Sequence, residues 1–183
     1  MERKSLFTYF VECFTQNYFN FSGRARRREF WGFSLFTFIL WFVLTLVFFT
    51  TAGTMFLGGL GSAGASQDFL TSTFLVLGVW GIVLLVFLIP SLAVQVRRLH
   101  DRGMSGWWIF FSNVLGVIFN VLQTAMSITG ADSTILMLVG VVALAVLVLN
   151  IYLLVQFVMD GEVGANKYGE DPKASERLGA YQG

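Results

Sequence analysis

Basic residues occur in only three parts of this chain. The twelve Lys and Arg residues lie within 3–28, 97–102 and 167–177 of the 183-residue sequence. The two stretches between these parts, 29–96 and 103–166, contain no basic residue, and each is long enough to cross a membrane twice. Because short cytoplasmic loops are enriched in Lys and Arg, this distribution predicts four transmembrane helices with both termini in the cytoplasm.

The composition supports a membrane protein. Hydrophobic residues make up 56% of the chain and charged residues 13%, which is far from the balance of a soluble domain. We predict an all-α membrane protein with a single polytopic domain over residues 1–183. Four charge-free runs each exceed the roughly 20 residues that a helix needs to cross about 30 Å of hydrocarbon. The predicted spans are about 32–57, 69–93, 107–129 and 134–159, and a cytoplasmic tail follows over 160–183.

Residues 5–21 precede the first span and are too few and too polar to cross a bilayer. Apolar side chains recur there at roughly helical spacing, and we predict a short N-terminal interfacial helix in the headgroup plane. A helix packed on the protein's own inner surface fits the pattern equally well. The apolar positions are Leu6, Phe7, Phe10, Val11 and Phe14.

Proline, glycine and tryptophan mark the predicted helix ends. Pro90 lacks a backbone N–H and should kink the second span or end it, after which residues 91–101 can form a short helix. Gly103 should stop that helix. Tryptophan is enriched at membrane–water interfaces, and three tryptophans follow closely on basic segments. These predicted interface anchors are Trp31, Trp107 and Trp108.

Three segments carry motifs: FSGRARRREFW at 21–31, RRLHDRGMSGWW at 97–108 and GANKYGEDP at 164–172. In this order they resemble the family known as domain of unknown function 805, and the resemblance covers nearly the whole chain. The resemblance implies a small protein of the bacterial inner membrane with several helical spans. It implies no settled biochemical activity.

The two motifs on the predicted cytoplasmic face contain Arg but no Lys. Guanidinium groups make planar, bidentate contacts with phosphate or carboxylate, whereas Lys would serve equally well to orient helices. We hypothesise a site for anionic lipid headgroups or an acidic partner segment. The alternative is that the arginines only orient the helices, while Glu29 and Asp101 pair with them. The candidate anionic-ligand residues are Arg24, Arg26, Arg27, Arg28, Arg97, Arg98, Arg102, His100 and Asp101.

The predicted spans contain no Asp, Glu, Lys, Arg or His, but they contain amides. The intramembrane polar candidates are Asn113 and Asn120 in the third span and Asn150 in the fourth. At about 1.5 Å per residue, Asn113 and Asn150 lie within roughly one turn of the same depth, so they could form an interhelical hydrogen bond. A polar lining for a substrate path is the alternative.

The residues suggest no reaction. With one His and one Cys, the chain cannot assemble a usual zinc site, and no nucleophile elbow accompanies His100 and Asp101. We therefore expect a non-catalytic protein without cofactor, metal or nucleic-acid partner. The expected partners are the bilayer, anionic phospholipids, and a second copy of the chain or another membrane protein. The alternative function is a small oligomeric transporter or channel, lined by the asparagines of the third and fourth spans.

Overall fold

The computed structural model describes residues 4–61, 67–130, 132–174 and 176–177, so the end of the predicted tail, 178–183, lies outside the described residues. The described residues form five helices and one isolated β-bridge, between Asn166 and Gly169. The helices are α1 (Leu6–Thr15), α2 (Arg27–Gly61), α3 (Gln67–Asp101), α4 (Trp107–Thr129) and α5 (Ser133–Val158).

Helices α2 to α5 are each long and apolar enough to cross a membrane, which confirms the prediction of four long apolar helices. The largest differences from the predicted spans are in α2, which begins at Arg27 and ends at Gly61 instead of 32 and 57, and in α3, which continues to Asp101 instead of 93. Charged side chains at a helix end can reach water or pair with opposite charges without interrupting the backbone hydrogen bonds of the helix. A charge-free run therefore marks the apolar interior of a helix rather than its ends.

Pro90 lies inside α3 and does not end it, so the alternative of a helix end at this residue is wrong. A proline within a helix leaves the carbonyl four positions earlier without its usual donor. Here that carbonyl belongs to Val86, and the hydroxyl of Tyr18 donates to it at 3.0 Å. A side chain from the N-terminal segment thus replaces the hydrogen bond that Pro90 removes.

The chain divides into two compact units. The tail unit comprises Met1–Glu2, Phe21–Phe30 and Leu92–Gly183, and it contains α4, α5, the end of α3 and the C-terminal tail. The aromatic unit comprises Arg3–Asn20 and Trp31–Ser91, and it contains α1 with most of α2 and α3.

In the aromatic unit, α1 packs on the first turns of α2. The side chain of Ser5 caps α1 by accepting a hydrogen bond from the Thr8 amide at 3.1 Å. Gly32 permits close approach, because a Cβ there would lie 3.1 Å from the Leu6 carbonyl oxygen. Phenylalanine rings then join α1 to α2 and α3. The ring pairs are Phe7–Phe36, Phe10–Phe33, Phe10–Phe36, Phe14–Phe33 and Phe14–Phe87. Helix α1 is therefore packed on the protein itself, while its place in a headgroup plane stays a prediction.

In the tail unit, α4 and α5 pack against each other. Ile109 of α4 is buried, and so are Leu153 and Phe157 of α5. The ring of Phe30, near the start of α2, lies with its centroid 4.5 Å from that of Phe157. This apolar contact holds the beginning of α2 beside the end of α5, where several arginine side chains converge.

Candidate functional site

A glycine turn fixes the end of α3. Gly103 has a φ of +69°, which favours a residue without a Cβ. The Gly103 amide donates to the His100 carbonyl at 3.0 Å, and the Met104 amide donates to the Leu99 carbonyl at 2.9 Å. This is the hydrogen-bond pattern of a Schellman cap. It confirms that Gly103 ends the helix, and it holds residues 97–102 in the last turns before the loop.

Asp101 lies between two buried arginines. Arg24 Nη2 is 2.9 Å from Asp101 Oδ1, and Arg98 Nη1 contacts Asp101 Oδ2. The side chains of Arg24, Arg98 and Asp101 are 1%, 0% and 5% exposed. Because a buried charge is costly unless it is paired and hydrogen-bonded, this shared carboxylate stabilises both guanidinium groups. We refer to the seven candidate arginines, at positions 24, 26, 27, 28, 97, 98 and 102, as the arginine cluster.

Two members of the cluster cap the C-terminal end of α5. The last four carbonyls of a helix lack intrahelical donors, and cations are favoured near them by about 0.3–1 kcal/mol. No basic residue lies in the last turn of α5 itself. Arg98 instead donates to the carbonyls of Phe157, at 3.2 Å, and Met159. Arg102 donates to the Asp160 carbonyl at 2.5 Å and to Gln156 Oε1 at 3.3 Å.

Arg24 holds the chain that follows α5. It donates to the carbonyls of Glu162 at 2.5 Å and Gly164 at 2.6 Å. The Glu162 amide donates to the Asp101 carbonyl at 2.8 Å. Gly161 allows this approach, because a Cβ there would collide with the Asp101 carboxylate. The arginine cluster thus binds backbone oxygens of its own chain.

His100 also contacts the tail. Its ring stacks on the ring of Tyr168, with centroids 3.8 Å apart and an interplanar angle of 6°. Its Nδ1 lies 3.2 Å from the Gly23 carbonyl oxygen, and its own carbonyl accepts a hydrogen bond from Asn166 Nδ2 at 3.0 Å. His100 therefore joins the segment before α2 to the tail. Its contacts are those of a packing residue.

The remaining cations of the first motif differ in exposure. Arg26 pairs with Glu176 at 2.7 Å and donates to the Pro172 carbonyl. Arg27 pairs with Asp160 at 3.0 Å. Arg28 is exposed and forms no ion pair or hydrogen bond with any residue that the structure describes. Arg28 is thus the member of the cluster whose guanidinium is open to an external ligand.

Asp160 receives two cations from different parts of the chain. Lys173 Nζ and Arg27 Nη1 each lie 3.0 Å from Asp160 Oδ1. Hydrogen bonds from Lys173 and then from Arg27 lower the pKa of Asp160 to about 2. The carboxylate therefore stays ionised well below the pH at which an unpaired aspartate is protonated.

Arg97 makes a separate ion pair. Its Nη1 lies 2.5 Å from Glu29 Oε1, and its backbone carbonyl accepts a hydrogen bond from the Ala25 amide at 3.0 Å. The Arg97 side chain is 5% exposed. Glu29 and Asp101, the two carboxylates expected to neutralise the arginines, both pair with arginines. A role of the cluster in ligand binding stays a prediction.

The asparagines bond mainly to their own helices. Asn113 donates to the Ile109 carbonyl at 2.7 Å, and Asn120 and Asn150 likewise donate to carbonyls four residues earlier. The predicted Asn113–Asn150 hydrogen bond is not formed. Instead, Ser112 Oγ lies 3.5 Å from Asn150 Oδ1 across α4 and α5. A nearby carbonyl at i−4 is always within reach of a helical asparagine, and it satisfies one N–H of the amide without an interhelical partner.

The predicted interface anchors all lie near helix starts, because Trp107 and Trp108 begin α4 and Trp31 is the fifth residue of α2. Trp31 is 39% exposed, and Trp107 and Trp108 are 64% and 41% exposed. Exposed indoles at helix starts suit a membrane–water boundary, although their depth in a bilayer stays a prediction. Within the described part of the chain, no three His, Cys, Asp or Glu side chains are grouped so that they could hold a metal ion.

These features define a class: a polytopic helical membrane protein whose C-terminal tail is held by arginines from the end of α3 and the segment before α2. The chain belongs to the family described as Protein of unknown function (DUF805), whose sequence profile matches residues 18–170. The family resemblance of the three sequence motifs is therefore confirmed.

Three relatives from Escherichia coli (strain K12) are similar to this chain. Inner membrane protein YhaI is 30% identical over 160 residues, which cover 86% of this chain and 90% of YhaI. Inner membrane protein YhaH is 40% identical over 111 residues, 57% of this chain and 78% of YhaH. Uncharacterized protein YiiR is 34% identical over 161 residues, 84% of this chain and 86% of YiiR. No solved structure matches the chain. The chain is an integral inner-membrane protein of unknown function.

Proposed function

We propose that this chain is a non-catalytic inner-membrane protein whose cytoplasmic surface binds anionic phospholipid headgroups at Arg28. Both termini lie in the cytoplasm, and α1 lies in the headgroup plane. The tail is a fixed part of that surface, because most of the arginine cluster holds it in place.

One observation carries this proposal: some members of the arginine cluster are buried and paired, whereas Arg28 is exposed and unpaired within the described residues. Arg24, Arg97 and Arg98 are buried and paired, so their positive charge is used inside the protein. Arg28 is exposed near the start of α2 and has no partner within the described residues. Trp31 follows at i+3, on the same side of the helix. An arginine and an indole together suit the level of the lipid headgroups.

The apolar and basic segments support the same orientation. Arg27 and Arg28 begin α2, and Arg97 and Arg98 lie near the end of α3, so both ends carry the positive charge typical of the cytoplasmic side. In α1, Leu6, Phe7 and Val11 are exposed apolar residues that could enter the outer part of the lipid layer.

Lipid binding is tested by native mass spectrometry of the purified protein with phosphatidylglycerol and phosphatidylcholine. A basic residue near an anionic surface contributes about 1 kcal/mol, so Arg28→Gln should weaken phosphatidylglycerol binding about fivefold. Lys167→Gln is the matched control, because it removes the same charge from an exposed tail residue and should change binding less. Equal phosphatidylglycerol binding by the wild type and Arg28→Gln would overturn the proposal. Dimer masses in the same spectra would reveal a second copy as a partner.

Orientation is tested with C-terminal reporter fusions. A fluorescent protein that matures only in the cytoplasm should fluoresce when it follows residue 183. Alkaline phosphatase, which is active only in the periplasm, should be inactive at the same position. The opposite pair of results would place the arginine cluster on the periplasmic side.

A further inference from the structure

The tail unit contains a cavity of about 340 Å³ between the end of α3, α4 and α5. This volume lies at the lower end of the range of small-molecule pockets. On α5 the lining extends over 150–157, about 10 Å of helix, which is roughly a third of the hydrocarbon core. Asn120 is not part of it, so the cavity is a pocket rather than a path across the membrane. The lining residues are Gln95, Ile109, Ser112, Asn113, Asn150, Leu153, Leu154 and Phe157.

The lining combines neutral polar side chains with apolar side chains. Gln95 lines the cavity and makes no hydrogen bond with any residue that the structure describes, so its amide is available to a ligand. Asn113 and Asn150 each donate one side-chain N–H to a carbonyl of their own helix, and the second N–H of each amide is available to a ligand. Ile109, Leu153 and Phe157 are apolar and buried. Among the described residues, no ionisable side chain lines the cavity.

The cavity lies just inside the aromatic residues at the start of α4. Ile109 and Asn113 follow Trp107 by two and six residues, which is about 3 to 9 Å along the helix. At the other end, Phe157 is next to the last residue of α5. If Trp107 lies at headgroup level, the cavity is at the depth where acyl chains join the polar part of a lipid.

The lining restricts the chemistry of a ligand. A charged group would be desolvated here without a counter-ion. A pure hydrocarbon would leave the free amides without a hydrogen-bond partner. A carbonyl group attached to a hydrocarbon chain satisfies both parts, because it accepts the amide N–H bonds and contacts the apolar wall.

We propose that this cavity binds a neutral amphiphile through a carbonyl oxygen, with Gln95 and Asn113 as donors. The carbonyl belongs either to the acyl ester of a membrane lipid or to a quinone with an alkyl chain. The hydrocarbon chain lies along Leu153 and Leu154. This site is independent of the anionic headgroup surface at Arg28, since it contains no cation.

The two sources are separated with delipidated protein and three probes: a diacyl phosphatidylcholine, the diether phosphatidylcholine with the same chains and headgroup, and decylbenzoquinone. The measurement is the shift in thermal unfolding midpoint as each probe is titrated. Stabilisation by the diacyl lipid but not by the diether lipid assigns the ester. Stabilisation by decylbenzoquinone, with equal effects of the two lipids, assigns the quinone. Equal effects of the two lipids and no quinone effect would overturn the proposal.

Variants test the named donors. Gln95→Leu removes no hydrogen bond between the described residues, so it should fold normally and bind the active probe roughly three- to tenfold more weakly. Asn113→Leu should weaken binding similarly. Asn120→Leu is the matched control, because it changes the same residue type on the same helix outside the cavity, and it should bind as the wild type does. Wild-type binding by both Gln95→Leu and Asn113→Leu would overturn the proposal.

Discussion

The C-terminal tail and α1 are both short segments attached to the ends of long apolar helices, but different interactions hold them. The tail is held by guanidinium groups that bind carboxylates and backbone carbonyls, as at Arg24 and Arg102. Helix α1 is held mainly by ring contacts, such as Phe14 with Phe87 at 4.9 Å. The tail should therefore respond to charge and pH, whereas the ring contacts of α1 should not.

The comparison also explains the burial of charge in an apolar protein. A segment that forms little regular structure leaves carbonyl groups without partners, and these need donors when they are covered. Arginine supplies five N–H donors on one side chain, so Arg24 can serve both the Asp101 carboxylate and two tail carbonyls. Helix α1 satisfies most of its own backbone groups and can therefore be held by apolar rings.

The largest effect is expected when the buried carboxylate is neutralised. Asp101→Asn keeps the side-chain shape but leaves Arg24 and Arg98 buried without their shared counter-ion. Breaking a buried ion pair costs about 3–5 kcal/mol, so the tail should detach and the thermal unfolding midpoint should fall. Trypsin should then cleave rapidly after Lys167 and Lys173 in the purified protein.

The control for this prediction is Asp160→Asn, which removes a carboxylate with a 65% exposed side chain from the same tail. Exposed ion pairs are worth about 0–1 kcal/mol, so its effect should be much smaller. Similar trypsin sensitivity of the two variants would contradict the view that Asp101 is the principal anchor of the tail.

A smaller effect is expected when one of the aromatic contacts that hold α1 is removed. Phe14→Ala removes a ring that contacts Phe10, Phe33 and Phe87. Replacing a fully buried phenylalanine by alanine lowers the free energy of unfolding by about 3–5 kcal/mol. Because Phe14 is only partly buried, we expect a loss of about 2 kcal/mol. Hydrogen exchange of the α1 amides should accelerate, equally at low and high salt.

Phe19→Ala is the matched control, because Phe19 is 71% exposed and its ring contacts only neighbouring Tyr18 among the described residues. It should leave α1 exchange nearly unchanged. If high salt altered α1 exchange as strongly as tail exchange, the proposed difference between the two attachments would be lost.

Local features could be predicted from the sequence, and contacts between distant segments could not. The confinement of Lys and Arg to three segments predicts four long apolar helices, and Gly103 predicts the end of α3. The acceptors of Arg98 and Arg102 were missed because they are backbone carbonyls, which every residue carries and no motif marks. A weak signal existed in the absence of any basic residue from the last turn of α5.

Pro90 also shows that contacts between distant segments cannot be predicted from the sequence. A proline predicts a lost hydrogen bond, but the replacement donor is Tyr18, 68 residues from Val86 in the chain. Gln95 was also missed as a cavity residue, although a lone amide shortly before Arg97 could have drawn attention to it. Folding, rather than spacing along the sequence, creates these contacts.

The smallest predicted effect is the change in the stability of tail attachment with pH. It reports the contribution of the Asp160 ion pairs. The pKa of Asp160 is lowered to about 2 from an ordinary value of 3.8 by Lys173 and then Arg27, so the attached tail binds protons less readily than a detached tail. Its stabilisation is therefore complete above pH 3.8 and is lost as pH falls towards 2. Because Asp160 is exposed, the loss should stay below about 1 kcal/mol.

Hydrogen exchange of the Glu162 amide, which donates to the Asp101 carbonyl, reports this change once intrinsic exchange rates are taken into account. Its protection should fall between pH 4 and 2 in the wild type, and the fall should be smaller in Asp160→Asn, which has no carboxylate to titrate at that position. Some pH dependence should persist in the variant, because Asp171 also titrates. Burial opposes ionisation of Asp171, and amide hydrogen bonds from Lys173 and Gly164 outweigh it and lower its pKa. Identical pH profiles for the two proteins would mean that the exposed pair adds nothing to the buried anchor at Asp101.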